Sequence, residues 1–165
     1  MPNPDVAVYG VRDTMNQLRD LDKEIYFEAI KEIKRAAKPL QMKMQAELPK
    51  KPPLSGMARG RYKWTGKEKV TIKYGGRKNR NKSEWPLLKL ELKSAGGIVF
   101  DMAGKTTNSP FTRELSARFG SPSRAMWSQE QSAIKATQAA VVEAVREATR
   151  LVNQELVQRP TGAPQ

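Results

Sequence analysis

The sequence predicts an α+β domain: a small antiparallel sheet of three to four strands packed by two long helices, one N-terminal and one C-terminal. Three observations lead there. Leu18, Leu21, Ile25, Ala29, Ile33, Ala36 and Leu40 recur every three or four positions, and Ile134, Val141, Val145, Ala148, Val152 and Leu156 fall on one stripe at gaps of seven, then three or four, which is the spacing of one helix face. Between these stripes, 69–76 and 87–93 alternate apolar and polar residues, the period of a half-buried strand. The order of strand, helix, strands, helix separates the two element types along the chain, as α+β domains do.

Taken in order, VAVYG at 6–10 reads as a short strand. The first helix spans Val11 to Lys38, with Asp13 near its start as N-cap chemistry, and is about 40 Å long. Pro39 lacks an amide donor and crowds the preceding turn, so a kink or break is expected there, followed by a short helical piece ending near Leu48. The connector LPKKPPLSGMARGRYKW at 48–64 is rich in proline and positive charge, and 50–67 is expected to be a flexible basic insertion. Strands at 69–76, 87–93 and 98–102 form a meander, with GRKNRNKS as a basic loop and Gly96-Gly97 as a tight reversal. AGKTTNSPFT is read as a polar loop and ELSARFG at 114–120 as one helical turn. Ser128 and Gln131 make an S-x-x-Q capping box for a helix that runs to about Gln158 and is stopped by Pro160. The domain thus covers 1–159, and 160–165 is a disordered tail.

The 165 residues include no histidine and no cysteine. The first absence removes the side chain that titrates near neutrality; the second removes disulfides and thiolate metal sites. There is no paired-carboxylate, HExxH, P-loop or GxSxG pattern, so neither an enzyme nor a cofactor is expected. No apolar run is long enough to span a membrane. MPNPDVAVYG lacks a basic stretch followed by an apolar one, so no secretion signal is expected, and a reducing cytoplasm is the expected place of synthesis.

Charge is concentrated. The net charge is +13, and 50–83 holds twelve Lys/Arg against one acid, Glu68, which places +11 in that segment. Three readings fit it: a solvated loop, a surface for nucleic-acid phosphates, or a surface for an acidic protein. Its candidate contact residues are Arg59, Arg61, Lys63, Trp64, Lys73, Arg77, Lys78, Arg80 and Lys82, because Lys/Arg interleaved with aromatics suits sequence-independent phosphate binding. A second candidate is FGSPSRAMW at 119–127. Its rigid turn and aromatics serve either as a hydrophobic staple fixing the angle of the last helix or as a subunit-interface patch built from Arg118, Phe119, Arg124 and Trp127, since Trp and Arg are enriched at binding hot spots.

Tyr9-Gly10-Val11, the Leu18–Ile33 helix, Ala95-Gly96-Gly97-Ile98-Val99, Phe119-Gly120 and Arg124-Ala125-Met126-Trp127 together give an arrangement that resembles the neck, or tail-completion (head–tail joining), proteins of long-tailed bacteriophages. The likeness covers roughly residues 6 to 158 and rests on the order of elements. It implies a structural virion protein without catalysis, assembled in the host bacterial cytoplasm. Copies of the chain would form a hexameric or dodecameric ring in the neck, between the head-side connector and the tail-side terminator or tube proteins, with DNA in the channel and no membrane. The alternative is a sequence-independent nucleic-acid-binding protein that acts through 50–83 outside a particle.

Overall fold

The computed structural model describes residues 5–8, 11–75, 87–126, 128 and 131–158, the first four as backbone. The elements are β1 (Asp5–Val8), α1 (Arg12–Leu21), α2 (Lys23–Ala46), a short 3-10 turn (Ser55–Met57), β2 (Val70–Tyr74), β3 (Leu88–Leu92), α3 (Ala95–Met102), α4 (Pro110–Phe119) and α5 (Gln131–Gln158). The class is α+β, richer in helix than expected.

The N-terminal helix breaks at Asp22, not at Pro39. Asp22 is extended, its amide closes α1 on the Leu18 carbonyl at 2.8 Å, and its carboxylate accepts from the amides of Glu24 and Ile25 at 2.8 and 3.0 Å. One residue therefore ends α1 and caps α2. Asp13 makes no cap and lies in the first turn of α1. α2 continues through Pro39. Arg35, whose carbonyl loses its donor, is exposed, so water satisfies it, while buried Leu40 and Met44 hold the helix beyond the proline.

The expected meander over 69–102 is also corrected. Residues 98–102 form no strand; they belong to α3. Ser94 caps this helix by accepting from the Gly97 amide at 3.1 Å. Gly96 and Gly97 make no reversal and sit inside its first turn. A Cβ on Gly96 would stand 3.0 Å from the Lys63 carbonyl oxygen, and one on Gly97 2.9 Å from Leu92 Cδ1. Gly96 thus allows close approach of the connector backbone, and Gly97 leaves room for the Ser94 and Leu92 side chains. What remains is the antiparallel hairpin β2–β3, with Ile72 opposite Leu90, and β1 running antiparallel along the other side of β3, so the order is β1-β3-β2. The segment read as loop plus one turn is the ten-residue helix α4. It has a reciprocal capping box between Ser109 and Thr112 and Pro110 in its first turn.

Two buried clusters run through the domain. Ala29, Ile33 and Ala37 of α2 meet Val141, Val145, Ala148 and Val152 of α5, together with Met15 and Leu18 of α1. Leu40 and Met44 join Ile134 in the second cluster, with Leu90, Leu92, Phe100 and Leu115. The start of α5 therefore meets the end of α2, and the two long helices pack antiparallel. The 50–67 segment is no flexible insertion among these residues: Leu54, Met57 and Trp64 belong to the same cluster. Glu68 fastens its end by accepting from the amide and hydroxyl of Thr65 at 2.7 and 2.8 Å. Gln45 of α2 then bonds both the Val70 amide and the Glu68 carbonyl.

Candidate functional site

The candidate basic residues separate into three groups. Arg59, Arg61 and Lys63 are exposed on the connector, with the Arg61 guanidinium 5.8 Å from the Tyr62 ring centre. Trp64 is 3% exposed and packs edge-on against Phe100 at 5.7 Å. It is a core residue and offers no face for a base or a partner, which corrects its assignment as a contact. Lys73 is exposed on β2. Arg77, Lys78, Arg80 and Lys82 lie outside the described residues.

Lys73 belongs to a constellation that sequence reading missed. On the hairpin, Lys73 faces Lys89 and Thr71 faces Glu91. Glu91 has a side chain only 9% exposed, with three ammonium groups around it: Lys73 at 3.0 Å, Lys89 at 3.7 Å and Lys93 at 3.7 Å. Burial by itself would raise the Glu91 carboxyl, but the hydrogen bond from Lys73 and the charges of Lys89, Lys73 and Lys93 hold it below its usual value. The signal was available in period-two form, since Lys89, Glu91 and Lys93 share one face of a strand whose other face is Leu88, Leu90 and Leu92.

A group whose folded pKa is depressed stabilises the fold above its unfolded pKa, and that contribution is lost as pH falls. Stability of the protein is therefore expected to decline below about pH 4.5, the ordinary glutamate range. Glu91→Gln should flatten that part of the profile. Urea midpoints measured from pH 3 to 7 for both proteins check this, and parallel profiles would show that Glu91 contributes nothing to it.

At the 119–127 corner, Arg118 is exposed and paired with Glu114 at 2.7 Å. Phe119 is 38% exposed, its ring 5.4 Å from Phe100. Trp127 lies outside the described residues. Arg124 turns inward, only 5% exposed. Its guanidinium donates to the carbonyls of Gly120 (2.8 Å), Phe100 (2.6 Å) and Ala103 (3.1 Å) and to the Ser116 hydroxyl (3.0 Å). It is an internal clamp joining α3, α4 and the turn, which corrects its assignment to the subunit interface. Asp101, fully buried, completes the lock: its carboxylate accepts from the amides of Ala125 (2.6 Å) and Met126 (3.0 Å), and its carbonyl from Ser123. Ser123 has φ 71°, a left-handed conformation that this bond helps to hold.

Among the described residues no group of His, Cys, Asp or Glu is placed to hold a metal ion, and no helix is long and apolar enough to cross a membrane. Comparison with protein-family models, with curated proteins and with solved structures finds no match for the chain.

Proposed function

We propose that the chain is a structural subunit of a long-tailed bacteriophage neck, where copies of it form a ring of six or twelve that joins the head-side connector to the tail. The reading begins from the resemblance in the order of elements. The observation that carries it furthest is apolar surface left uncovered at one end of the α2–α5 pair. Leu21 and Phe27 sit at the start of that pair, and Leu151, Leu156 and Val157 at the end of α5; all five are exposed, Val157 to 85%. Because the helices run antiparallel, the α1–α2 junction and the end of α5, which carry these side chains, lie at the same end of the domain. At 28 residues, α5 extends about 42 Å against about 36 Å for the 24-residue α2. Contiguous exposed apolar surface marks an interaction site, and head-to-tail contacts between identical subunits close rings. Arg118 and Phe119, the outward part of the 119–127 corner, are candidates for the complementary contact.

Light scattering on the purified protein, with negative-stain imaging of the oligomer and of virions, tests this. A ring is expected from the wild-type chain. Leu156→Ser/Val157→Ser should shift it to smaller species without unfolding, because both side chains are exposed. Absence of the protein from mature particles would defeat the neck assignment.

A further inference from the structure

We propose that the outward face of the β2–β3 hairpin is a docking surface for the phosphate backbone of a nucleic-acid duplex. Lys73 and Lys89 are direct cross-strand partners on that face, and Lys93 reaches the same carboxylate as both of them. Continuing the ladder by one pair sets exposed Lys69 opposite exposed Lys93. Among the residues whose side chains are described, four lysines thus share that face with one carboxylate, Glu91. Residues on one face of a strand repeat about every 7 Å, so the lysine backbone positions form two rows, while the ammonium groups of Lys73, Lys89 and Lys93 converge on Glu91.

The exposed connector cations lie near one end of this face. The carbonyls of Lys63 and Tyr62 approach within 3.0 and 3.2 Å of where a Cβ on Gly96 would stand, three residues past Lys93. Arg59, Arg61 and Lys63 are exposed on that stretch of the connector.

The lysines are already crowded. The Lys73 and Lys93 ammonium groups contact each other, which pulls Lys93 below and Lys73 above the ordinary lysine value, with the Glu91 carboxylate favouring the charged form of both. Three ammonium groups share the Glu91 carboxylate, and a bound phosphate would lower the repulsion among them.

The chemistry favours phosphate over an acidic protein. A protein partner draws most of its affinity from aromatic or aliphatic groups in pockets, and Lys69, Thr71, Lys73, Lys89, Glu91 and Lys93 provide none. A phosphate backbone requires only spaced positive charge. Among the described residues the hairpin face carries no exposed aromatic, and exposed Tyr62 on the connector is a single ring, which favours a duplex over a single strand, whose bases need several stacking platforms.

The inference does not require the ring, since a single subunit presents the whole face. Fluorescence anisotropy with a duplex of arbitrary sequence, titrated between about 50 and 200 mM salt, provides the test. Lys73→Gln/Lys93→Gln is expected to lower the salt slope by about two and to weaken binding roughly 50-fold near 0.1 M salt. Lys93→Gln alone, at a side chain 57% exposed, should lower the slope by about one and guards against a folding defect in the pair. Lys31→Gln/Lys34→Gln, which removes equal charge from exposed positions of α2, should leave the slope in place. The proposal is overturned if folded hairpin variants bind with the wild-type slope, if the α2 variant loses as much, or if polyglutamate of equal charge displaces the duplex at equal concentration. Loss of duplex binding would leave the ring reading standing, and a monomer that binds duplex would do the reverse.

Discussion

Trp64→Ala is expected to destabilise the fold by about 3–5 kcal/mol, the range for truncating a large buried aromatic, and to lower the melting temperature by roughly 10 °C in a domain of this size. The indole is 3% exposed and meets Phe100 edge-on, within the cluster that joins the connector to Leu40, Met44 and Leu92. Its amide is tied to the Met57 carbonyl at 2.7 Å, so the cavity cannot close by a simple shift of the backbone. The effect should extend beyond packing: Arg59, Arg61 and Lys63 are held in place by the segment that Trp64 pins, and loss of the indole releases them. Chemical denaturation followed by circular dichroism measures the stability, and Trp64→Phe should recover part of it. A stacking residue on a binding surface would behave in the opposite way, with nucleic-acid affinity falling while the denaturation midpoint stayed in place. That result would return Trp64 to the list of contacts.

The contrast between Trp64 and its neighbours shows where sequence reading stops. The stripes of α2 and α5 were legible because a helix face is a local, periodic property, and the hairpin alternation was legible for the same reason. Asp22 carried a cap signal, with Glu24 and Ile25 following it, but the stripe Leu18–Leu21–Ile25 continues across it and hides the break. IVFDM is a five-residue run, apolar except for Asp101, that fits a strand or a buried helix equally well. What decides it is Ser94 capping the turn and the connector backbone lying against Gly96, a contact made by residues some thirty positions upstream. In the connector, Leu54, Met57 and Trp64 follow no period, and the surrounding Lys and Arg made the segment read as solvated. Charge described its exposed side and concealed its buried one. Of the candidate contacts, Arg59, Arg61, Lys63 and Lys73 are outward-facing as read, whereas the Glu91 constellation emerges only when two strands are set in register.

Arg124→Ala is expected to cost about 3 kcal/mol, because the buried Phe100 carbonyl loses this donor, worth about 1–3 kcal/mol, and the part-buried bonds to Ala103, Ser116 and Gly120 are lost at about 0.5–1.5 kcal/mol each. The guanidinium serves groups from three places: Phe100 and Ala103 at the end of α3, Ser116 in α4, and Gly120 at its C-terminus. No other side chain presents several donors in one planar fork, so Arg124→Lys should recover less than half of the loss. Burial pulls the guanidinium below its ordinary pKa and the charge of Asp101 opposes this; the group remains charged across the accessible pH range. Asp101→Asn retains an acceptor for the Ala125 and Met126 amides and should cost about 1 kcal/mol, the difference between a charged and a neutral acceptor. The two substitutions act on one turn, so their combined effect should depart from additivity. Urea denaturation of the two single variants and the double variant measures that coupling directly. The same proteins also decide what the corner is for. If Arg124 acts inside the fold, Arg124→Ala shifts the denaturation midpoint at every protein concentration, including those where the chain is monomeric. An Arg124 that gripped a neighbouring subunit would leave the monomer's midpoint unmoved and abolish only its assembly, and that outcome would undo the internal-clamp assignment.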